Sequence, residues 1–125
     1  MAEPLALDGS RVLVTGGAGF IGSNFVHYLL KRHPSCHVVV LDALTYAGRR
    51  ENLAGLPERS LTFVQGDIRE PADVAKAMAG CDYVLNFEAE SHVDRSIETP
   101  GAFIQTDVYG VFVLCEEARR RNVRR

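Results

Sequence analysis

Three glycines near the N-terminus have the spacing of a phosphate-binding turn. Gly16, Gly19 and Gly22 lie in the string Thr15-Gly-Gly-Ala-Gly-Phe-Ile-Gly22, between a β-branched apolar run and an amphipathic segment. Glycine at the first position permits a sharp turn out of a strand, and at the second it lets the backbone approach a pyrophosphate. At the third it allows a helix to pack closely on a sheet. The unpaired N–H groups at the start of that helix would then hold the phosphates.

An acidic residue closes the next apolar run. Asp42 follows Gly22 by 20 residues, at the position that accepts hydrogen bonds from an adenosine ribose. A carboxylate there would repel a 2′-phosphate, which favours NAD over NADP. Arg49 and Arg50 are the counter-argument, because nearby arginines could serve the extra phosphate of NADP. The alternative is that Asp42 is an ordinary cap at the end of a strand.

A second acidic residue follows the third apolar run, in the string Gly66-Asp67-Ile68. The carboxyl ends of parallel strands line the ligand crevice of an open α/β sheet, so this pair could flank the adenine. Taken alone, a Gly-Asp pair is more often just a turn.

Apolar runs alternate with helical patterns along the chain. The predicted strands are Arg11–Thr15, His37–Asp42, Leu61–Gln65 and Asp82–Phe87. The predicted helices are Phe20–Arg32, a short one at Arg50–Leu53, Ala72–Met78 after Pro71, and a long one that begins at Thr99 and Pro100. Repeated βαβ units build a parallel sheet covered on both faces. The sequence therefore predicts an α/β fold with a doubly wound parallel sheet of about four strands.

The long helix after Pro100 has apolar residues that step by four, three, four and three, which places them on one face. They are Ile104, Val108, Val111, Cys115 and Ala118. This face is a candidate interface between subunits, or it could equally be all core. Asp107 is expected to border it.

Composition excludes several classes of protein. The chain has 125 residues, enough for one domain, and a formal net charge of -2, which argues against a protein built to hold nucleic acid. The arginines near residue 125 suit a helix C-terminus and have no interleaved aromatic residues for base stacking. No apolar run approaches the ~20 residues of a membrane-spanning helix.

The cysteines indicate the compartment. There are three, far apart and without a CxxC or Cys/His cluster, so neither a disulfide framework nor a metal site is predicted. We expect reduced, mostly buried thiols. Residues 1–10 lack the cationic start and apolar core of a signal peptide. A cytoplasmic location is therefore expected.

The glycine string Thr15–Gly22 resembles that of the extended short-chain dehydrogenase/reductase superfamily, whose NAD-binding domain has the Rossmann fold. Three further strings resemble the nucleotide-sugar dehydratases, most closely the dTDP-glucose 4,6-dehydratase family. They are Asp42-Ala-Leu-Thr-Tyr-Ala-Gly48, Gly66-Asp-Ile68 and Ala89-Glu-Ser-His-Val-Asp-Arg-Ser-Ile97. The glycine string alone would equally fit epimerases and reductases. The resemblance spans residues 11–119.

The resemblance implies a chemistry and partners. In that family tightly held NAD is regenerated: a hydride leaves the sugar C4, water is eliminated across C5 and C6, and the hydride returns to C6. The implied substrate is a dTDP-sugar, and the family is typically homodimeric.

The resemblance also implies the residues that contact the cofactor. They are Gly16, Gly19, Phe20, Ile21, Gly22, Asp42, Ala43, Leu44, Thr45, Asp67, Ile68, Phe87, Glu88, Ala89, Glu90, Ser91 and Thr106. Ser91 would also contact the substrate. His92, Asp94 and Arg95 are expected to form a hydrogen-bonded loop framework without a catalytic role.

Three positions depart from the family pattern. Glu88 stands where the family has a small alanine, and its carboxylate near the phosphates would weaken cofactor binding unless the side chain turns away. Asp107 replaces an asparagine that helps to order a proton relay in the superfamily, so two hydrogen-bond donors are lost. Ala43 replaces a lysine, which removes one adenosine contact.

The family's Tyr-x-x-x-Lys pair is missing, since none of the 4 tyrosines has a lysine four residues later. The family's Thr-Asp-Glu group is missing as well. We therefore expect no catalytic residue within residues 1–125. Residues 1–125 would form the N-terminal part of an NAD-binding Rossmann domain, without the substrate part. Alone they would be inactive, and the outer edge of the fourth strand would be unpaired. The alternatives are a UDP-sugar dehydratase or 4-epimerase of the same superfamily, or a free-standing nucleotide-binding module without catalysis.

Overall fold

The computed structural model describes residues 7–45, 48–88 and 100–125, except for the side chains of residues 102 and 103. Several residues singled out by the sequence therefore lie outside the described residues. They are Ala89, Glu90, Ser91, His92, Asp94, Arg95 and Thr99.

Within the described residues, four parallel strands form one sheet in the order β3-β2-β1-β4. The strands are β1 (Arg11–Thr15), β2 (His37–Asp42), β3 (Leu61–Gln65) and β4 (Tyr83–Asn86). The first three have the predicted bounds, and β4 is one residue shorter than predicted at each end. In this register Thr15 lies opposite Leu41 and Asn86. The carboxyl ends of the strands therefore share one edge of the sheet.

Helices connect the strands. They are α1 (Phe20–Arg32), α2 (Pro71–Met78), α3 (Pro100–Ile104) and α4 (Val111–Arg120), with 3₁₀ turns at Arg50–Leu53 and Glu58–Ser60. A π-helical segment, Gln105–Gly110, joins α3 to α4. The helices predicted at 20–32 and 50–53 are confirmed, and the helix predicted at 72–78 is confirmed with a start one residue earlier, at Pro71. Gly80 has a φ of +74° and follows α2, as expected of a helix stop.

Each face of the sheet has its own core. Val12, Val14 and Val38 pack with α1, whereas Leu13 and Val39 pack with α2 and α4. Because successive side chains of a strand point to opposite faces, the continuous apolar runs of β1 and β2 supply both cores. The predicted doubly wound α/β fold of the Rossmann type is confirmed.

The helix after Pro100 buries a different face from the apolar one that the spacing defines. Ile104 and Val108 are each 64% exposed, Asp107 is exposed, and the buried positions include Thr106 and Gly110. A Cβ on Gly110 would lie 2.6 Å from Cγ1 of Ile68, so small residues are needed where the π-helical segment meets the sheet layer. Helix α4 continues that face with Val113 and Leu114. The expectation that Asp107 borders the buried face is wrong.

The outer edge of β4 is paired over part of its length. The N–H of Arg124 donates to the carbonyl of Asp82, and the N–H of Val84 donates to the carbonyl of Arg125, both at 2.9 Å. The expectation of an unpaired fourth strand is therefore wrong, because the chain after α4 turns back through Asn122 (φ +54°) to lie beside β4.

Candidate functional site

The carboxyl edge of the sheet brings the sequence-predicted groups together. Gly16 directly follows β1, Asp42 ends β2, Asp67 follows β3 and Glu88 follows β4. The backbone links neighbouring ends: the N–H of Gly16 donates to the carbonyl of Leu41 at 2.8 Å, and the N–H of Gly66 donates to that of Asp42 at 3.1 Å. This edge is the ligand crevice of parallel α/β sheets.

The glycine turn is packed so closely that side chains would not fit. Gly16 has a φ of +68°, and a Cβ there would lie 2.7 Å from the backbone N of Glu88. A Cβ on Gly22 would clash with the carbonyl oxygen of Gly16. At Gly19, by contrast, a Cβ would meet within 4 Å only one atom of the described residues, that same oxygen, at 3.3 Å. The turn is therefore tight on its inner side and open beside Gly19, as the glycine spacing predicts.

The N-terminus of α1 has the properties of an anion site. No side chain caps it, and its first turn carries no acidic residue. Ser23 donates its N–H to the carbonyl of Gly19 at 2.9 Å, so the N–H groups of residues 20–22 stand outside the helical ladder. Phe20 and Ile21 are exposed at this end of the helix. Free N–H groups and the positive end of the helix dipole attract phosphate.

Asp42 is the central side chain of the edge. It is buried, and its Oδ2 accepts the N–H of Ala18 at 2.9 Å while its Oδ1 accepts the N–H of Leu44 at 2.8 Å. The carboxylate thus caps the end of β2 and ties it to the glycine turn. A carboxylate has about four lone-pair positions, so two N–H bonds leave acceptor capacity for ribose hydroxyls, and ribose binding stays a prediction.

The loop after β2 is anchored to the same turn. The carbonyl of Ala18 accepts the N–H of Arg49 at 3.0 Å and the side-chain Nδ2 of Asn52 at 2.8 Å. Leu44 has a φ of +55°, which a non-glycine residue adopts only at a cost of roughly 1–2 kcal/mol. Sequence reasoning missed Ala18 and Asn52, because their bond joins positions 34 residues apart and neither residue type signals it.

The remaining predicted residues of this loop and of β4 differ in exposure. Ala43 is half-buried, and Thr45 is exposed. Phe87 packs into the core of α1 with its ring centroid 5.4 Å from that of Phe25. Thr106 is buried in the π-helical segment. None of these placements identifies a ligand by itself.

Asp67 and Ile68 point in different directions. Ile68 is 1% exposed and packs into the core of α2, against Gly110. The Asp67 side chain is 27% exposed and pairs with Arg69. Burial raises the pKa of the Asp67 carboxyl, but hydrogen bonds from Arg69 and its charge outweigh burial and hold that pKa below its ordinary value. Asp67 therefore presents an ionised acceptor at the sheet edge, whereas the Ile68 side chain is structural.

No three His, Cys, Asp or Glu side chains in the described ranges cluster as metal ligands would. In the same ranges, no helix is both long and apolar enough to cross a membrane.

Comparison with known proteins places this geometry in a family. The family model of GDP-mannose 4,6 dehydratase matches residues 13–125. The chain belongs to this family. Among its curated relatives, dTDP-glucose 4,6-dehydratase of Mycobacterium tuberculosis is 53% identical over 114 residues, which are 91% of this chain and 34% of the relative.

Solved structures share the fold. The dTDP-glucose 4,6-dehydratase DesIV of Streptomyces venezuelae, with NAD and TYD bound, superposes with a TM-score of 0.85 at 48% identity, over 90% of this chain and 37% of that one. The UDP-glucose 4-epimerase of Thermus thermophilus in complex with NAD gives 0.79 at 37% identity, over 90% and 35%. The chain thus spans about a third of the length of these relatives.

Proposed function

We propose that this chain is the N-terminal, NAD-binding portion of a nucleotide-sugar 4,6-dehydratase that converts dTDP-glucose to dTDP-4-keto-6-deoxyglucose. The observation that carries the proposal is the joining of an open helix N-terminus to a strand-end carboxylate, through the bond from Ala18 N–H to Asp42. The helix N-terminus suits a pyrophosphate, and the strand-end carboxylate suits a ribose. The named relatives and the DesIV structure with NAD support the same assignment.

The residues of the turn fit NAD. The open side of Gly19 admits a pyrophosphate against the N–H groups of residues 20–22, and exposed Phe20 and Ile21 flank that approach. Asp42 would accept ribose hydroxyls. NAD, when bound, supplies the acceptor for a hydride. The described residues bind and orient that group.

The strand-end carboxylate supports NAD over NADP. A 2′-phosphate beside the buried Asp42 carboxylate would meet like charge. Of the two arginines that could offset it, Arg50 already lies over the Phe63 ring, with its guanidinium carbon 4.7 Å from the centroid. Isothermal titration calorimetry of the chain with each dinucleotide tests the proposal. Binding of NAD, tighter than that of NADP, is expected, and absence of NAD binding would overturn it.

We propose further that the proton-transfer residues lie outside residues 1–125, since the Tyr-x-x-x-Lys pair of the resembling family is not among them. The purified chain should then form no 4-keto-6-deoxy sugar from dTDP-glucose and NAD. Detectable product would contradict this division of labour.

A 4-epimerase is the second candidate, because the Thermus epimerase shares the fold at a TM-score of 0.79. The two activities differ in product: the dehydratase releases water and forms a 4-keto sugar, whereas the epimerase inverts C4 and keeps the hydroxyl. Mass spectrometry of the products from dTDP-glucose and UDP-glucose, made by a protein that carries this chain together with its catalytic residues, separates them.

We also propose that the protein works as a homodimer through an exposed apolar ridge that runs from the end of α3 along the π-helical segment to α4. The ridge consists of Ile104, Val108, Tyr109, Val111 and Phe112. Tyr109 and Phe112 lie next to each other, with ring centroids 6.2 Å apart. An apolar ridge of this kind is costly in water and typical of an interface.

A cytoplasmic location is proposed from the thiols. Cys36, Cys81 and Cys115 are free, and burial raises the pKa of Cys81 to about 11, which the charge of Arg11 offsets only in part. Unpaired thiols suit a reducing compartment. Cell fractionation would test this.

A further inference from the structure

We propose that Arg69 is a positioning residue that makes this site select a base with a 6-amino group, because it holds the Asp67 carboxylate as an oriented acceptor at the sheet edge. The inference rests on the proposed function and deepens it. It concerns the specificity for the base of the dinucleotide.

Arg69 donates hydrogen bonds to the Asp67 carboxylate from its side chain and from its backbone N–H. Its side-chain Nε donates to Oδ1 at 3.0 Å and to Oδ2 at 2.9 Å, and Nη2 donates to Oδ2 at 2.6 Å. Its backbone N–H donates to Oδ1 at 2.9 Å. A planar guanidinium bonded to both carboxylate oxygens fixes the plane of the carboxylate as well as its charge.

The main chain of Asp67 is held independently. Its N–H donates to Oδ2 of Asp73 at 3.0 Å, from the first turn of α2. A Cβ on Gly66 would lie 2.9 Å from the same carboxylate oxygen, so the two segments are in close contact. The main chain and the carboxylate of Asp67 are thus both fixed before any ligand binds, which reduces the entropy cost of binding.

This carboxylate lies beside the proposed ribose site. The N–H of Gly66 donates to the carbonyl of Asp42 at 3.1 Å, so Asp67 is one residue removed from a direct link to the end of β2. A base attached to a ribose at Asp42 would extend along the edge toward β3. The Asp67 side chain is 27% exposed.

An ionised carboxylate discriminates between bases. It accepts a hydrogen bond from the 6-amino group of adenine and is repelled by the 6-oxo oxygen of hypoxanthine. Arg69 decides how that acceptor is aimed, because its side chain and its backbone N–H bond both carboxylate oxygens. If Arg69 instead competed for the lone pairs, its removal would increase the preference for adenine.

The test compares NAD with nicotinamide hypoxanthine dinucleotide, which differ at position 6 of the base. Calorimetry would give both dissociation constants for the unchanged chain, Arg69→Ala, Arg69→Lys and the control Arg119→Ala, which breaks a different surface ion pair, with Glu116. We expect the unchanged chain to prefer NAD by about tenfold or more. Arg69→Ala should cut this ratio about fivefold or more, chiefly by weakening NAD binding.

Arg69→Lys keeps the charge but not the planar fork, and should give an intermediate ratio; Arg119→Ala should leave the ratio unchanged. A general loss of structure would weaken both dinucleotides equally, so an unchanged ratio in Arg69→Ala overturns the inference. A raised ratio, or no preference in the unchanged chain, also overturns it. If the unchanged chain binds neither dinucleotide, the proposed function itself fails and the inference with it.

Discussion

The carboxylate of Asp42 accepts the backbone N–H of Ala18 at 2.9 Å. This single bond joins the end of β2 to the glycine turn after β1, where the two halves of the proposed dinucleotide site meet. Leu44 adds a second N–H at 2.8 Å from the other side. The glycine turn and the Asp42 carboxylate are therefore held together as one unit.

Replacing Asp42 should damage stability and binding together. In Asp42→Ala the buried N–H of Ala18 and the partly buried N–H of Leu44 lose their acceptor, at a cost of up to about 1–3 kcal/mol each. NAD affinity should fall as well. Urea denaturation and calorimetry check this, with Asp8→Asn as control, since Asp8 is exposed and pairs with His33 at the surface. Unchanged stability in Asp42→Ala would mean that the bond to Ala18 contributes nothing.

Gly22→Ala should disrupt the turn. The added Cβ would clash with the carbonyl oxygen of Gly16 and lie 2.9 Å from its carbonyl carbon, and overpacking of this kind costs roughly 1–3 kcal/mol. Gly101→Ala is the matched control, because no atom of the described residues lies within 4 Å of a Cβ there. In a helix that change should be neutral or stabilising by up to ~1 kcal/mol. Thermal unfolding measures both; equal effects would contradict the packing argument.

Glu88→Ala should tighten NAD binding. The backbone N of Glu88 would lie 2.7 Å from a Cβ on Gly16. The residue that carries this carboxylate therefore contacts the glycine turn. Removing that negative charge should lower the dissociation constant about three- to tenfold. Calorimetry at low salt measures the dissociation constant. Glu58→Ala is the control, because Glu58 lies in the 3₁₀ turn Glu58–Ser60, outside the glycine turn. No gain in affinity would show that Glu88 turns away from the cofactor.

Stability should fall on acidification because of Asp67. Burial raises the pKa of its carboxyl, but Arg69 outweighs burial and holds that pKa below 3.8. A lowered folded-state pKa stabilises the fold above the unfolded value, and that contribution is lost as pH falls through the folded value. Arg119 likewise lowers the pKa of the exposed Glu116.

Urea titrations between pH 6 and about pH 3 check this prediction. Arg69→Ala should flatten the fall in the free energy of unfolding, because Asp67 then titrates nearer its ordinary value in both states. Arg119→Ala should flatten it less, since the Glu116 pair is solvated and screened. An unchanged slope in Arg69→Ala would contradict the pairing.

A charge on the apolar ridge should prevent self-association. Val108 is 64% exposed, and Val108→Asp would bury an unpaired carboxylate in a dimer interface. We expect a dimer for the unchanged chain and a monomer for the variant by analytical ultracentrifugation. Tyr28→Asp is the control, because Tyr28 is 58% exposed but lies on α1. A monomeric unchanged chain would refute the proposed homodimer.

The sequence by itself determined the strands, the first two helices and the fold. Runs such as Arg11–Thr15 and His37–Asp42 are too apolar and β-branched to lie anywhere but inside a parallel sheet, and glycines with Asp42 mark its ligand edge. These signals are local, within a few residues, so they could be read directly. Long-range contacts have no such local pattern.

Tertiary structure decided the rest. The helix after Pro100 turns Ile104 and Val108 outward and packs Gly110 against Ile68. Likewise, Asp42 accepts the N–H of Ala18, and the Asn52 side chain donates to the carbonyl of Ala18. Only folding brings the turn that contains Ala18 near these two residues. A hydrophobic pattern reports which residues avoid water. Which of two apolar faces is covered, and which acceptor meets which donor, depends on the shapes of the surfaces that meet.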